Sequence, residues 1–189
     1  MKHFLSAVAV TALLCACGAP EPLPPKPAKV PVGVDLSGQW QIRRGDDAAE
    51  QRINEVARRA TGSDESLLSR SSRKSREESS PDYQVHVFLE TGDTLKITQT
   101  RHGLFISFDR AIVEEYRYGE QRMVSVGPVE AERVSGWEDG GYAIATRDQE
   151  GATLIETYRL QYPDTLVRTM RIEHNGNNEL DVRQVFDRT

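Results

Sequence analysis

Four polar residues near the end of the chain are spaced so that their side chains could meet: Glu156, Tyr158, Arg168 and Gln184. A guanidinium group presents paired N–H donors that suit a carboxylate or a phosphate, and a phenol can add a further hydrogen bond. Inside an apolar pocket, such a group would bind the charged end of a small ligand. The same four side chains could instead satisfy one another, because a buried charge requires a partner. Both interpretations depend on the strands that carry these residues.

Those strands are indicated by a regular alternation in residues 153–172, TLIETYRLQYPDTLVRTMRI. The pattern predicts two strands joined by a tight turn at Pro163-Asp164, because successive side chains of a strand point to opposite faces. With this turn, Leu160 faces Leu166 across the hairpin.

The same register brings the polar residues together. Tyr158 faces Arg168, and Glu156 lies one diagonal step away, within reach of a long side chain. The next hairpin keeps the same parity, so Gln184 is expected beside Arg168 on its other side. A register one step off would place all four in water.

The remaining chain contains more short strands separated by turn residues, about nine in all. In residues 36–43 a clean alternation places Trp40 on the face that packs into a core. Further strands are expected at residues 95–99, 104–108, 111–118, 121–126, 129–137, 142–146 and 180–186. Residues 83–89 fit either a helix or a strand. This spacing predicts an all-β fold, an antiparallel meander that forms a barrel or a sandwich.

One insertion interrupts the meander at residues 44–82. Residues 46–60 have apolar side chains at helical spacing and predict one short helix. The Ser/Arg-rich stretch that follows buries too little apolar surface to offset its ordering entropy, so residues 69–80 are expected to be mobile. The basic cluster within it is either solvated or a contact for anionic groups.

Gly38-Gln39-Trp40 in the first strand, followed by an antiparallel meander, resembles the lipocalins and the wider calycin group. That resemblance implies an up-and-down barrel of about 8–10 strands over residues 35–189, with Trp40 closing its base and a small apolar ligand inside. Trp40 therefore joins the four polar residues as a hypothetical ligand-binding residue, although it and Trp137 also fit simple core positions. No Thr-Asp-Tyr motif and no helix after the barrel are present, which departs from the lipocalin pattern.

The first residues resemble a bacterial lipoprotein signal. A positive Lys2 and a short apolar run end in Leu14-Cys15-Ala16-Cys17, which looks like a lipobox. The resemblance implies removal of residues 1–16, fatty acylation of Cys17 and anchoring in a membrane. Because Gly18 follows, resemblance to enterobacterial lipoproteins favours the periplasmic face of the outer membrane. The alternative is an ordinary secretory signal cleaved near Ala16 or Ala19.

Residues 17–34 would then form a lipidated linker. Six of the thirteen residues 19–31 are proline, which favours a stiff, extended stalk between bilayer and barrel. A proline motif that binds a partner is the alternative.

Composition excludes several classes of function. Removing 16 of 189 residues leaves 173, with no cysteine besides Cys17 and a net charge of −6, because Lys2 is lost from a chain of net −5. Disulfides and Cys-based metal sites are thereby excluded, and an acidic chain argues against nucleic-acid binding. His86, His102 and His174 lack ligand spacing, so neither a metal nor a cofactor is expected.

No sequence pattern for a serine hydrolase, a zinc protease, a phosphate loop or a dinucleotide site is found, so the chain is not expected to be an enzyme. The sequence therefore predicts a membrane-anchored periplasmic lipoprotein whose barrel binds a small apolar or amphipathic ligand. The alternative is a non-enzymatic envelope scaffold or regulatory lipoprotein that acts by contact with another envelope protein.

Overall fold

The computed structural model describes residues 22–45, 47–60, 84–161 and 164–189. The strands are β1 (Gly38–Ile42), β2 (Thr94–Gln99), β3 (Gly103–Phe108), β4 (Ile112–Arg117), β5 (Glu120–Val126), β6 (Val129–Glu138), β7 (Gly141–Asp148), β8 (Thr153–Gln161), β9 (Thr165–His174) and β10 (Asn177–Arg188). One α-helix, α1 (Asp47–Ala60), and one 3₁₀ helix (Val85–Phe88) lie between β1 and β2. The predicted all-β class with a single inserted helix is confirmed.

All ten strands form one antiparallel sheet in the order β4-β3-β2-β1-β10-β9-β8-β7-β6-β5. The sheet curls into a nearly closed, lipocalin-like barrel with β4 and β5 at its two edges. The turn at Gly119-Glu120 joins these strands, yet they do not pair with each other. Side chains bridge the gap instead: Ser135 Oγ donates to the Arg117 carbonyl at 2.9 Å, and Arg133 Nη1 lies 3.2 Å from Glu114 Oε2.

The predicted registers of the C-terminal hairpins are confirmed. Leu160 pairs with Leu166 and Tyr158 with Arg168 between β8 and β9. Gln184 of β10 pairs with Arg168 from the other side. The sheet therefore has one dry face inside the barrel and one wet face outside, as the alternation in the sequence indicates.

Two apolar clusters fill the barrel. An aromatic cluster occupies one end, where both tryptophans are almost fully buried; it includes Trp40, Phe108, Tyr116, Trp137, Tyr142, Tyr158 and Phe186. An aliphatic cluster occupies the other end and includes Leu154, Met170, Ile172, Leu180 and Val182. Ile53 and Val56 of α1 pack onto this second cluster, so the helix covers that end of the barrel.

Within the ambiguous segment 83–89, residues Val85–Phe88 form a 3₁₀ helix. Its N-terminus is capped by Asp148 of β7, which accepts hydrogen bonds from the N–H groups of Gln84 at 2.7 Å and Val85 at 2.8 Å. Val85 and Phe88 are buried against the barrel end. A helix fits here because Asp148 satisfies its free N–H groups. The predicted mobile stretch, residues 69–80, lies outside the described residues.

The proline-rich segment does not stand free of the barrel over residues 22–34, in contrast to the stalk expected from its composition. Leu23 is buried against the outer face of β6, β7 and β8, with 4% of its surface exposed. The Pro27 carbonyl accepts a hydrogen bond from the Trp137 N–H at 2.8 Å. Proline lacks an N–H but keeps its carbonyl, so an extended proline-rich chain can still accept bonds from a neighbouring strand.

Within the described residues, no helix has both the length and the apolar character that spanning a bilayer requires.

Candidate functional site

The four polar residues singled out in the sequence meet inside the barrel. Arg168 is fully buried, and its Nη2 lies 2.5 Å from Glu156 Oε1. Its Nε also donates to that oxygen, at 3.2 Å. The Tyr158 hydroxyl donates to Glu156 Oε1 at 3.3 Å, and Gln184 Oε1 lies 3.4 Å from Arg168 Nη1. The predicted polar band therefore exists as a closed hydrogen-bond network.

Two further contacts complete the environment of Arg168. Its Nη2 donates to the Glu90 carbonyl at 2.7 Å, just beyond the 3₁₀ helix. Its guanidinium carbon lies 5.1 Å from the centre of the Phe108 ring and 5.5 Å from that of Tyr158, within the range of cation–π attraction. The guanidinium thus links the strands of the barrel to the segment that covers its end.

Burial governs the titration of this network. Burial raises the pKa of Tyr158 far above its usual value, so the phenol stays protonated and acts as a donor. Burial by itself would lower the pKa of Arg168, but the interactions of the guanidinium with the surrounding network, including its hydrogen bonds to Glu156, raise the pKa overall. The band therefore holds a charged guanidinium against the Glu156 side chain.

A second buried arginine was missed by the sequence analysis. Arg133 of β6 is 6% exposed and lies between the Phe88 and Tyr116 rings, 5.5 and 5.6 Å from their centres. Its Nε donates to Thr146 Oγ1 at 3.0 Å. The sequence could have indicated its position. Arg133 lies four residues before the buried Trp137 in β6, so both side chains point to the same face of the sheet.

Trp40 lies elsewhere. It is in the aromatic cluster, where its indole N–H donates to the Leu36 carbonyl at 3.1 Å, and the Arg188 guanidinium stacks over its ring at 4.1 Å. Among the hypothetical ligand-binding residues, the structure thus joins Glu156, Tyr158, Arg168 and Gln184 and leaves Trp40 outside that network. Their role toward a ligand stays a prediction.

The interior around these residues is filled by side chains. Arg168, Tyr158, Met170, Leu166 and Phe186 all have 0% of their surface exposed. A void large enough for one water would expose the side chains that line it, so none adjoins these five side chains. Gln184, at the margin of the network, is 8% exposed and lines a separate pocket of about 340 Å³ with Ile42, Ala49 and Ile53. A ligand could enter this part of the barrel only by displacing side chains that already pack and pair.

A large cavity of the described chain opens on the outside of the barrel instead, across β1 to β4. It measures about 650 Å³, within the usual range of small-molecule sites. The outward-facing residues that line it are Gln39, Gln41, Thr94, Lys96, Thr98, Phe105, Ser107 and Val113, with Arg110 and Thr189 at the margin. We call this surface the outer groove.

The outer groove combines apolar surface with positive charge. Phe105 and Val113 are 39% and 63% exposed, and they are diagonal neighbours because Phe105 pairs with Glu115. Lys96 and Arg110 supply two cationic side chains, and no Asp or Glu lines the groove. Asp109, which is adjacent in sequence, accepts hydrogen bonds from the N–H and the Oγ1 of Thr94 at 2.8 and 3.0 Å. This surface suits an amphipathic anion.

No group of three or more potential metal ligands occurs in the part of the chain that the structure describes. Cys17, the predicted lipidation site, lies outside the described residues.

Comparisons with known proteins give structural likeness only. No family model matches the chain, and no curated protein matches it either. A secretory abundant heat soluble protein from Ramazzottius varieornatus is 10% identical, with a TM-score of 0.49, over 82% of this chain and 95% of its own. Apo lipid binding protein 8 from Caenorhabditis elegans is also 10% identical, with a TM-score of 0.48, over 83% and 99%. A luciferase domain from Lingulodinium polyedrum is 16% identical, with a TM-score of 0.49, over 90% and 46%. At this distance, the ligands and activities of those proteins do not carry over to this chain.

Proposed function

We propose that this chain is a lipid-anchored protein of the bacterial envelope whose barrel binds a small amphipathic anion in the outer groove. One observation carries the choice of site: the interior around Arg168 is filled by packed and paired side chains, whereas the groove presents exposed apolar surface beside two cations. A molecule with an alkyl or aryl body and a carboxylate or sulfonate head would match both parts.

The apolar part of the groove would contact the alkyl or aryl group of the ligand. Phe105 and Val113 already lie exposed, so a bound alkyl or aryl group would remove their surface from water at about 25 cal/mol per Å². Neither side chain needs to rearrange for this contact, which limits the conformational cost of binding.

The charged part of the groove orients the ligand. Lys96 lies on β2 next to Gln39 of β1, its register partner, so an ammonium and an amide donor point out of the sheet side by side. A neutral ligand would forgo this attraction. Anions should therefore bind more tightly than neutral molecules with the same apolar group, and added salt should weaken the binding of the anions.

The anchor is proposed from the sequence. Cys17 ends an apolar run in a lipobox-like stretch, and acylation there would attach the barrel to the periplasmic face of the outer membrane. Intact-mass spectrometry of the protein purified from bacterial membranes tests this part, because acylation adds the mass of the fatty acyl chains. A mature chain starting elsewhere, or a Cys17 without acyl chains, would contradict it.

Binding is tested by titrating the protein with 8-anilinonaphthalene-1-sulfonate, an amphipathic anion whose fluorescence rises in apolar sites. Val113→Asp should weaken binding about tenfold, equal to ~1.4 kcal/mol, because it removes apolar contact and adds like charge. The matched control is Met123→Asp on β5, since Met123 is also 63% exposed but does not line the groove.

Lys96→Glu should weaken binding in the same direction, whereas Lys29→Glu changes an exposed lysine away from the groove and should not. Equal affinities for Val113→Asp and Met123→Asp would contradict the site. So would binding that is lost only when interior residues are changed.

A further inference from the structure

The segment before β1 packs against the barrel through specific contacts. Leu23 lies in an apolar site formed by Val134, Ala145 and Ile155, on the outer faces of β6, β7 and β8. Its backbone N–H donates to Glu132 Oε2 at 3.1 Å. The segment therefore has both an apolar and a polar attachment at the first residues that the structure describes.

Further contacts follow along the segment. Lys26 Nζ lies 2.6 Å from Glu138 Oε2, and the Lys26 side chain is only 10% exposed. The Pro27 carbonyl accepts the Trp137 N–H. A side chain at Gly136 would overlap the Pro27 carbonyl oxygen and the Lys26 Cβ, so glycine is required where the segment crosses β6. We call residues 22–30 the strap.

The strap leaves only a short tether to the proposed anchor. Six residue steps separate Cys17 from Leu23, and a fully extended chain spans at most ~3.6 Å per residue, or about 22 Å in total. An undocked proline-rich stalk up to β1 would reach roughly three times as far. Docking of the strap thus sets how close the barrel stays to the bilayer and which side of it faces the lipid.

The side that the strap selects is opposite the outer groove. In the circular strand order, β6 to β8 carry the strap and β1 to β4 form the groove. Strands β9 and β10 separate the two surfaces on one side, and β5 separates them on the other.

From these contacts we infer that the strap orients the barrel on the lipid bilayer, with the β6–β8 face held near the membrane and the outer groove facing away from it. This inference rests on the acylation of Cys17 in the proposed function. The partner of the β6–β8 face is the bilayer surface itself, and the groove stays accessible to a ligand arriving from the aqueous side.

The test measures distances to the membrane in the acylated full chain in phosphatidylethanolamine and phosphatidylglycerol vesicles with an energy-transfer acceptor on the lipid headgroups. A donor dye is placed on a cysteine introduced at Gln149, in the turn after β7, or at Thr98, in the groove. Because Cys17 is acylated, the introduced thiol is the one that reacts. Transfer should be more efficient from position 149 than from position 98.

Leu23→Asp should abolish that difference, because a carboxylate cannot stay in the apolar site under the strap. Val32→Asp is the matched control: it changes an apolar residue of the same segment that is 98% exposed, and it should preserve the difference. Intact mass is recorded for each sample.

The outcomes separate the two claims. Acylated protein with equal transfer from both positions, or a difference that survives Leu23→Asp, overturns the orienting role of the strap and leaves the proposed anchor standing. Protein without acyl chains on Cys17 overturns both. A difference that is abolished by Leu23→Asp and retained in Val32→Asp supports the inference.

Discussion

The two faces of the same sheet follow opposite rules. Inside, the buried Arg168 is fully partnered: it contacts Glu156, Gln184 and the Glu90 carbonyl within one network. Outside, in the groove, Lys96 and Arg110 lie beside exposed Phe105 with no acidic side chain in the lining. A satisfied interior stabilises the fold, whereas an unsatisfied surface remains available for a ligand. This difference is the reason for placing the proposed binding site on the outside of the barrel.

The largest expected effect lies inside. Arg168→Met leaves the Glu156 carboxylate buried without its counter-charge, and breaking a buried pair in this way typically costs about 3–5 kcal/mol of unfolding free energy. The matched control is Arg171→Met on the same strand, because Arg171 faces outward with its side chain 49% exposed in pairs with Glu173 and Asp181. Urea unfolding should show a loss below about 1 kcal/mol for the control.

The double variant Glu156→Leu with Arg168→Met sharpens this prediction. Replacing both partners by apolar groups removes the stranded charge, so it should recover most of the stability lost in Arg168→Met. If Arg168→Met and Arg171→Met lost equal amounts of unfolding free energy, the interior network would not stabilise the fold as proposed.

The next effect concerns the end of the barrel. Asp148 is 4% exposed and accepts hydrogen bonds from four backbone N–H groups, those of Gln84, Val85, Glu150 and Ala152. Asp148→Ala leaves these N–H donors without an acceptor and should lower the free energy of unfolding by roughly 2–3 kcal/mol. Hydrogen exchange should accelerate in the 3₁₀ helix first.

Asp109→Ala, on the outside of the barrel, is the comparison for Asp148→Ala. Asp109 also accepts from a backbone N–H, that of Thr94, but both residues are partly in water. Water can replace the lost acceptor there, so its loss should be about 1 kcal/mol or less. A larger loss for Asp109→Ala than for Asp148→Ala would reverse the proposed ranking of the two faces.

A smaller effect depends on pH. Burial, followed by the nearby Glu114 and Glu156 carboxylates, raises the pKa of Glu90 above its usual value. A raised folded-state pKa means that the folded protein binds this proton more tightly, so its contribution to stability grows as pH falls toward that pKa and is lost as pH rises through it. Glu90→Gln should therefore stabilise the protein at neutral pH, by less than about 1 kcal/mol because the side chain is partly exposed.

The measurement is a series of urea melts from mildly acidic to neutral pH for the wild type and Glu90→Gln. The stability difference between them should shrink on acidification. A difference that is constant with pH, or a loss of stability at neutral pH, would contradict the assignment.

The smallest stability change is expected in the groove. Val113→Asp should alter the unfolding free energy by no more than about 0.5 kcal/mol, since exposed positions tolerate substitution. Ile106→Asp on the neighbouring strand, where Ile106 is fully buried, should prevent stable folding, because a lone carboxylate cannot be accommodated there. If the Val113 variant also unfolded, the groove would be part of the core.

Much of the fold follows from side-chain parity alone. The alternation around Tyr158 and Arg168 predicts their pairing and the approach of Gln184, because strand geometry leaves one choice once the turn is placed. The separation of β4 from β5 does not follow in this way, since Gly119-Glu120 has the appearance of an ordinary hairpin turn. Whether neighbouring strands pair depends on how the whole sheet closes.

The candidate site was less accessible to sequence reasoning. The sequence predicted that the four polar side chains meet. It did not predict that they satisfy one another, because this depends on the Glu90 carbonyl and on side-chain packing between residues distant in the chain. The groove arises from four strands that lie up to about seventy residues apart in the chain, and none of its residues forms a motif. The docking of Leu23 was hidden by a proline-rich composition that usually indicates a free linker.

The central claim, that ligand binds outside a filled barrel, is tested most directly by methyl NMR of methionine. The sequence has three methionines; Met170 is fully buried inside the barrel and Met123 is exposed on β5. Val113→Met adds a reporter in the groove. On titration with 8-anilinonaphthalene-1-sulfonate, the methyl signal at position 113 should shift while that of Met170 stays in place. A shift of the Met170 signal with an unchanged signal at position 113 would place the ligand inside and contradict the account.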